Sequence, residues 1–156
     1  MKGLQLDNGT IKKFNSVPKN FGNIIGGFNT LNDTELEAFG FYNIVSPSIT
    51  ESQELGAIEW DEDNSVFTYP VQNKTFAQSL AEMKAQKIAN LKHNYGSELA
   101  KTDWVIIRDQ ELGNTTDLSI LSSRATLRSD CATHESSINS KTTKAQVADY
   151  SLPNLM

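Results

Sequence analysis

The sequence predicts an α+β fold, with a small antiparallel β part followed by a helical hairpin. Before residue 72, several short segments alternate apolar and polar residues, which is the period of half-buried strands. From residue 73 onward, apolar residues recur every three or four positions, as they do along one face of a helix. We therefore predict a β-rich domain at 1–72, a helical hairpin at 73–140 and an extended C-terminal tail at 141–156.

Two β-hairpins are predicted in the β-rich domain. In the first, residues 4–6 alternate apolar and polar side chains, and Asn8 and Gly9 suit the two positive-φ positions of a type I′ turn. In the second, segments 55–60 and 65–70 alternate in the same way and are joined by an acidic link. This link lacks the length and ligand spacing of a calcium-binding loop, so we expect a solvated turn.

A short helix and a strand are predicted between these hairpins. The helix covers residues 31–40, where Asn32 or Asp33 can cap its N-terminus and Gly40 can end it. The strand covers residues 41–45 and is stopped by the Ser-Pro pair that follows.

The two long helices of the hairpin are predicted from two apolar stripes. Thr75 is the expected N-cap of the first helix, and the second helix is expected to end near Ser140. The first stripe comprises Phe76, Leu80, Met83 or Lys84, Ile88, Leu91, Tyr95 and Leu99, and the second comprises Leu118, Leu121, Ala125, Leu127 or Arg128, Cys131 or Ala132, and Ile138. Because one helix cannot bury such a stripe alone, we expect the two stripes to pack against each other.

A short intervening helix is predicted between the two long ones, at residues 102–113. Thr102 and Asp103 form a capping signal at its start, and Gly113 suits the left-handed position after its end. Trp104 would then lie at the start of this short helix. We therefore expect its side chain to anchor the module by packing across both apolar stripes.

Charged residues cluster in this short helix and in the long helix after it. They are Asp103, Arg108, Glu111, Arg124, Arg128 and Glu135. A hydrolase of the paired-carboxylate type needs two acids at a defined separation in a cleft, and helical hairpins more often use such residues as ion pairs. We therefore expect Arg108 or Arg124 to pair with Asp103 or Glu111.

No metal site, cofactor or reactive nucleophile is predicted. An HExxH zinc motif starting at His134 would need a second histidine where Ile138 stands. Cys131 lies on or beside the second apolar stripe, so we expect a buried, inert thiol. The net charge is −5, with basic residues scattered among acids, which argues against a nucleic-acid partner. No stretch approaches the ~18 apolar residues of a membrane span.

The C-terminal tail is predicted to contact a neighbouring subunit. Residues 141–156 are rich in small and polar side chains, with Tyr150, Leu152 and Leu155 as spaced apolar anchors. Pro153 disfavours a helix there. We expect this segment to lie extended across another copy of the chain in a homo-oligomer.

The charged cluster also carries a family resemblance. The pattern consists of Thr102-Asp103-Trp104, Ile107-Arg108, Glu111 and Gly113, followed by Arg124 and Leu127-Arg128. The earlier segments Glu35-Leu36, Gly40-Phe41-Tyr42 and Val66-Phe67-Thr68-Tyr69 fit the same pattern. Over roughly residues 1–140, the chain resembles small tail proteins of tailed bacteriophages. Asn114-Thr115-Thr116 stands where that family often has a proline.

The resemblance implies a structural virion component of the tail, baseplate or fibre, made in the host cytoplasm and located in the virion. Its partners would be other phage tail proteins and copies of itself. The alternative is a tail or tail-fibre assembly chaperone that is not retained in the particle. A third hypothesis is a small enzyme, such as a cell-wall hydrolase. Because the sequence holds no catalytic constellation for such an enzyme, we expect none.

Overall fold

The computed structural model describes residues 1–155 and has the predicted α+β class. Antiparallel strands come first in the chain, and two long helices and one short helix follow. The chain forms two compact units, Met1–Lys74 and a second unit that starts at Thr75. The division lies two residues beyond the predicted boundary, and residues 141–155 belong to the second unit.

The first unit contains short strands that pair in three antiparallel sheets. The strands are β1 (Lys2–Gln5), β2 (Ile11–Phe14), β3 (Phe41–Asn43), β4 (Gln53–Leu55), β5 (Glu59–Asp61), β6 (Val66–Thr68) and β7 (Val71–Asn73). β1 lies between β2 and β3, β4 pairs with β7, and β5 pairs with β6. The predicted second hairpin is β5–β6, in which Asp61 lies opposite Val66 across the acidic link.

The helix predicted at 31–40 is confirmed as α1 (Asp33–Glu37). Asn32 is its N-cap: the Asn32 side chain accepts a hydrogen bond from the Glu35 amide at 3.0 Å, and the Glu35 carboxylate accepts one from the Asn32 amide at 2.8 Å. This reciprocal pair satisfies two amide groups that the first turn leaves free. Gly40 follows with a φ of 81°, and the predicted strand begins directly afterwards as β3.

The turn of the first hairpin differs from the predicted type I′ turn. Leu6 O accepts from Gly9 N and Leu6 N donates to Thr10 O, both at 2.8 Å. Gly9 has a φ of 80°, but Asn8 is not among the positive-φ residues. Instead, the Asn8 side chain accepts from the Thr10 amide at 2.9 Å. The loop is therefore a three-residue turn with a glycine bulge, which needs one positive φ rather than two.

Aromatic rings fill the interior of the first unit. One buried cluster is made by Phe28, Leu36 and Phe41, and Phe28 comes from a single 3₁₀ turn, Phe28–Thr30. A second set of ring contacts joins Tyr42, Trp60 and Phe67, with centroids 4.6–6.2 Å apart. The strands are too short to bury much surface individually, and these rings provide apolar contacts between the elements of the unit.

The second unit is built on a helical hairpin. Its helices are α2 (Leu80–Glu111), α3 (Leu118–Asn139) and α4 (Lys144–Ala148). The bounds predicted for the second long helix are confirmed. α2 and α3 run antiparallel, since Lys92 of α2 pairs with Glu135 of α3 at 2.8 Å, whereas the later Asp103 pairs with the earlier Arg124 at 2.6 Å.

The first long helix begins later than predicted. Its N-cap is Ser79 rather than Thr75: the Ser79 hydroxyl accepts from the Glu82 amide at 3.2 Å, and the Glu82 carboxylate accepts from the Ser79 amide at 2.7 Å. The hydrogen bond from the Ser79 backbone amide lowers the pKa of the Glu82 carboxyl group. A charged glutamate at the third helical position closes the capping box and also complements the helix dipole, which favours Ser79.

The separate short helix predicted at 102–113 is wrong. α2 continues through this segment without a break, and Thr102 Oγ1 donates to Leu99 O at 3.1 Å within the helix. Neither glycine nor proline occurs between residues 97 and 111, so nothing in the backbone interrupts the helix. Gly113 does end it, with a φ of 69°.

The second apolar stripe was predicted with the wrong phase in its first half. The residues of α3 that are at least half-buried on the α2 side include Ile120, Arg124, Leu127, Cys131 and Ile138. Leu118, Leu121 and Ala125 are exposed instead. Arg124 itself lies on the inner face. A prediction that assigns only apolar residues to the inner face therefore selects the neighbouring face of α3 instead.

The extended form predicted for the tail is also corrected. Residues 144–148 form α4, which Thr143 caps, and the residues after it have no regular structure. Val147 is 1% exposed, and Tyr150 and Leu152 pack against the buried cluster of the hairpin. That cluster consists of Leu91, Tyr95 and Ile138. Within residues 141–155, Val147 is therefore buried and Tyr150, Leu152 and Leu155 are partly buried against their own unit.

Candidate functional site

The charged cluster predicted from the sequence is centred on Arg124, which is 8% exposed. Its guanidinium donates to Leu99 O at 2.7 Å, to Thr102 Oγ1 at 2.5 Å and to Asp103 Oδ1 at 2.6 Å. The expected ion pair of Arg124 with Asp103 is confirmed. Because the acceptors lie on α2 and the donor on α3, this network fastens the two helices near their connecting loop.

The anchor role predicted for Trp104 is wrong. Its side chain is 59% exposed, because α2 is continuous and places residue 104 on the face opposite Thr102. The Arg108 guanidinium stacks over the indole ring, 5.0 Å from its centroid. Arg108 also pairs with the buried carboxylate of Asp109 at 2.7 Å. The Arg108 guanidinium therefore covers part of the indole, while most of the Trp104 side chain stays open to solvent.

Of the remaining charged candidates, Glu135 pairs with Lys92, and the other two make no ion pair within the part of the chain that the structure describes. Glu111 lies exposed at the end of α2, and Arg128 lies exposed on α3, one turn beyond Arg124. Arg124 and Arg128 therefore have different environments although they are four residues apart. The structure brings together Asp103 and Arg124 from the predicted set, and it places Arg108 beside Trp104.

Exposed apolar residues gather at the loop end of the hairpin. We call this surface the apolar tip; it comprises Trp104, Ile107, Leu112, Leu118 and Leu121. All lie within about two helical turns of the loop that joins α2 to α3. Among residues 75–155, every exposed large apolar residue belongs to this set. Single exposed apolar side chains are ordinary, but five of them at one end of a helical hairpin make this end a candidate contact surface.

Sequence reasoning missed most of this surface. Ile107 and Leu112 were assigned to the short helix, and Leu118 and Leu121 were assigned to the buried stripe. The signal that could have found them is the phase of Ile120 relative to Ile138, which places residues 118 and 121 off the inner face.

The C-terminal candidates lie on the other end of the hairpin. We call residues 141–155 the C-terminal arm. Tyr150, Leu152 and Leu155 pack on the cluster of Leu91, Tyr95 and Ile138, and so they are not free to contact a neighbour in this conformation. The Tyr150 hydroxyl and His134 Nδ1 form a hydrogen bond of 2.6 Å.

The chemistry of the site is that of ion pairs and apolar contacts. Among residues 1–155, no group of three or more His, Cys, Asp or Glu side chains is placed to hold a metal ion. Burial raises the pKa of the Cys131 thiol, and the nearby Glu135 carboxylate raises it further. The thiol is therefore held in its protonated, less nucleophilic form.

Comparisons of the chain with protein-family models, with curated proteins and with solved structures gave no match. Within the described residues, no helix is both long enough and apolar enough to cross a bilayer.

Proposed function

We propose that this protein is a structural component of a bacteriophage tail, at the tail, baseplate or fibre attachment, and that it acts by binding other proteins through the apolar tip. The observation that carries the assembly part is the tip itself. The resemblance of the chain to small tail proteins supports the assignment to a phage tail.

The tip has the composition of an interface core. It combines a tryptophan and a neighbouring arginine, residue types that often dominate binding energy, with three leucines and an isoleucine. Removing one large apolar side chain from water contributes about 1.5–3 kcal/mol. Burying five together supplies an energy of the same order as the translational and rotational cost of association.

Two sets of contacts support the tip before any partner binds. The Arg124 network joins α3 to α2 about two to three helical turns from the loop. The Arg108 guanidinium lies over the Trp104 ring, 5.0 Å from its centroid. Contacts that already favour one arrangement reduce the conformational entropy lost on binding, which suits a permanent contact in a particle.

The first test is mass spectrometry of purified particles of the phage that encodes the chain. A structural component is retained at a fixed number of copies per particle. Absence of the chain from particles, together with its presence in assembly intermediates, would instead support the assembly chaperone, which also needs an exposed apolar surface.

A second test compares variants of exposed residues. Trp104→Ser combined with Leu118→Ser should leave the helical circular dichroism unchanged but reduce incorporation into particles at least tenfold. The matched control is Ile25→Ser, because Ile25 is 90% exposed in the first unit and lies outside the tip. Normal incorporation of the tip variant would contradict the proposal. A clear lysis band in zymography on host cell wall would favour an enzyme instead.

A further inference from the structure

We propose that Asn8 is a site of spontaneous deamidation, and that the turn of the first β-hairpin controls how fast it reacts. Asn8 and Gly9 form the only Asn-Gly pair in the sequence, and they lie in the loop between β1 and β2. The modification depends on this loop alone, so it is independent of the proposed role in a phage tail.

The reaction joins two neighbouring groups of the chain. The backbone nitrogen of Gly9 gives up its proton and attacks the side-chain carbonyl carbon, Cγ, of Asn8. The new N–Cγ bond closes a succinimide ring, and the side-chain amide nitrogen leaves as ammonia after taking up a proton. One water molecule then opens the ring at either carbonyl carbon, which gives aspartate or isoaspartate. No oxidant or cofactor takes part in any of these steps.

Gly9 makes this position reactive, and the turn requires Gly9. Because residue 9 has no side chain, little hinders the approach of its nitrogen to Cγ. Its φ of 80° lies in the left-handed region, which other residues adopt only at a cost. Residues 5–10 are exposed, so solvent reaches the loop. Asn64 offers a contrast within the same unit, since it is also exposed but is followed by Ser65, whose side chain hinders the attack.

In the closed turn, other partners hold both reacting groups. Gly9 N donates a hydrogen bond to Leu6 O at 2.8 Å, which favours the protonated form of this nitrogen. Asn8 Oδ1 accepts from Thr10 N at 2.9 Å, which directs the side-chain carbonyl toward Thr10. The attack needs a deprotonated Gly9 nitrogen and a Cγ that has turned toward it. The reaction therefore proceeds from conformations in which the turn has opened.

The two products affect the turn differently. Aspartate keeps an oxygen that can accept from the Thr10 amide, so the turn can persist. Isoaspartate carries the main chain through its side-chain carbon, which adds a methylene group to the loop and removes this acceptor. Since β1 is the central strand of its sheet, isoaspartate would weaken the first unit at that strand.

The test measures deamidation of the full chain, folded and unfolded. Both samples are kept in the same mildly alkaline buffer, one of them with guanidinium chloride, and peptide mapping by mass spectrometry measures conversion at Asn8 and at Asn64. In the unfolded chain, Asn8 should react several times faster than Asn64. In the folded chain, Asn8 should react roughly tenfold more slowly than in the unfolded chain, because only opened turns react. Equal rates at Asn8 in the two samples, or an intact Asn8 in the unfolded chain, would overturn the proposal.

A pair of matched variants separates the turn from the rest of the first unit. Ile11 and Val66 are the first residues of the second strand in each hairpin, beside the loop. Ile11→Gly should raise the rate at Asn8 in the folded chain at least roughly twofold, because glycine within a strand is destabilising, and should leave the rate in guanidinium chloride unchanged. Val66→Gly should leave both rates unchanged. An equal increase from both variants would show that opening of the whole unit controls the reaction, which would contradict the proposal.

Discussion

Replacing Arg124 separates two ways in which a buried arginine can hold helices together. The guanidinium makes three hydrogen bonds to α2, of which one is an ion pair with Asp103. A hydrogen bond to a charged group contributes about 1.5–3 kcal/mol to stability when it is buried. The Asp103 side chain is 51% exposed, so that its share falls toward the 0–1 kcal/mol of a surface pair.

We therefore expect Arg124→Ala to lower the free energy of unfolding by about 2–3 kcal/mol, because the bonds and the packing of the long side chain are lost together. Arg124→Met keeps most of the packing and removes the buried charge, so it should cost about 1 kcal/mol or less. Asp103→Asn should lower the free energy of unfolding by less than ~1 kcal/mol, because Arg124 still donates hydrogen bonds to Leu99 O and Thr102 Oγ1.

Urea unfolding followed by circular dichroism at the helix band is the measurement, since α2 and α3 supply most of the helix in the chain. If Arg124→Met were as damaging as Arg124→Ala, the hydrogen bonds rather than the packing would hold the hairpin. If neither variant changed stability, the network would be a surface feature and the argument would fail.

Three further outcomes are expected. Val147→Ala should destabilise the second unit by about 2–3 kcal/mol in the same urea experiment, because two buried methyl groups and their packing are lost; an unchanged midpoint would show that the arm is not part of this core. Trp104→Ala should change stability by less than ~0.5 kcal/mol, since the ring is mostly exposed, and a larger loss would restore it as an anchor. A hydrogen bond from Lys2 lowers the pKa of Asp33 below the ordinary 3.8, so the folded state binds this proton less tightly than the unfolded state does. The stabilisation is therefore present above that ordinary pKa and is lost as the pH falls through the lower folded value; Asp33→Asn should remove this loss when the first unit is followed by Trp60 fluorescence in acid titrations.

The elements that sequence reasoning predicted well are those with local signals. The helix α1 has its capping box within four residues, from Asn32 to Glu35, and the hairpin β5–β6 has its link between two alternating segments. α3 spans Leu118–Asn139 and so ends beside Ser140, as predicted. In each case, the residues that determine the structure are neighbours in the sequence, so no knowledge of distant contacts was needed.

The elements that were missed depend on contacts between distant residues. Thr102 and Asp103 match a capping signal, yet in the structure they accept hydrogen bonds from Arg124 on another helix. The same side chains that can start a helix can also bind an arginine, and only the fold decides between these roles. The predicted short helix depended on this capping signal, and the predicted burial of Trp104 depended on the short helix. Both predictions are therefore wrong for the same reason.

The position of Arg124 also explains why the apolar tip exists. At the loop end of the hairpin, the inner face carries Thr102, Asp109 and Arg124, which are polar and at least half-buried. The exposed residues at the same end include Trp104 and Leu118. These polar residues share the inner face with Val105, Ile106 and Ile120, which are half-buried apolar side chains of the same end. The hydrogen bonds of Arg124 and these apolar contacts together hold the two helices, so the exposed apolar residues are not needed to close the hairpin. An exposed tip on a hairpin end whose buried arginine has three acceptors favours an assembly surface over a poorly packed helix end.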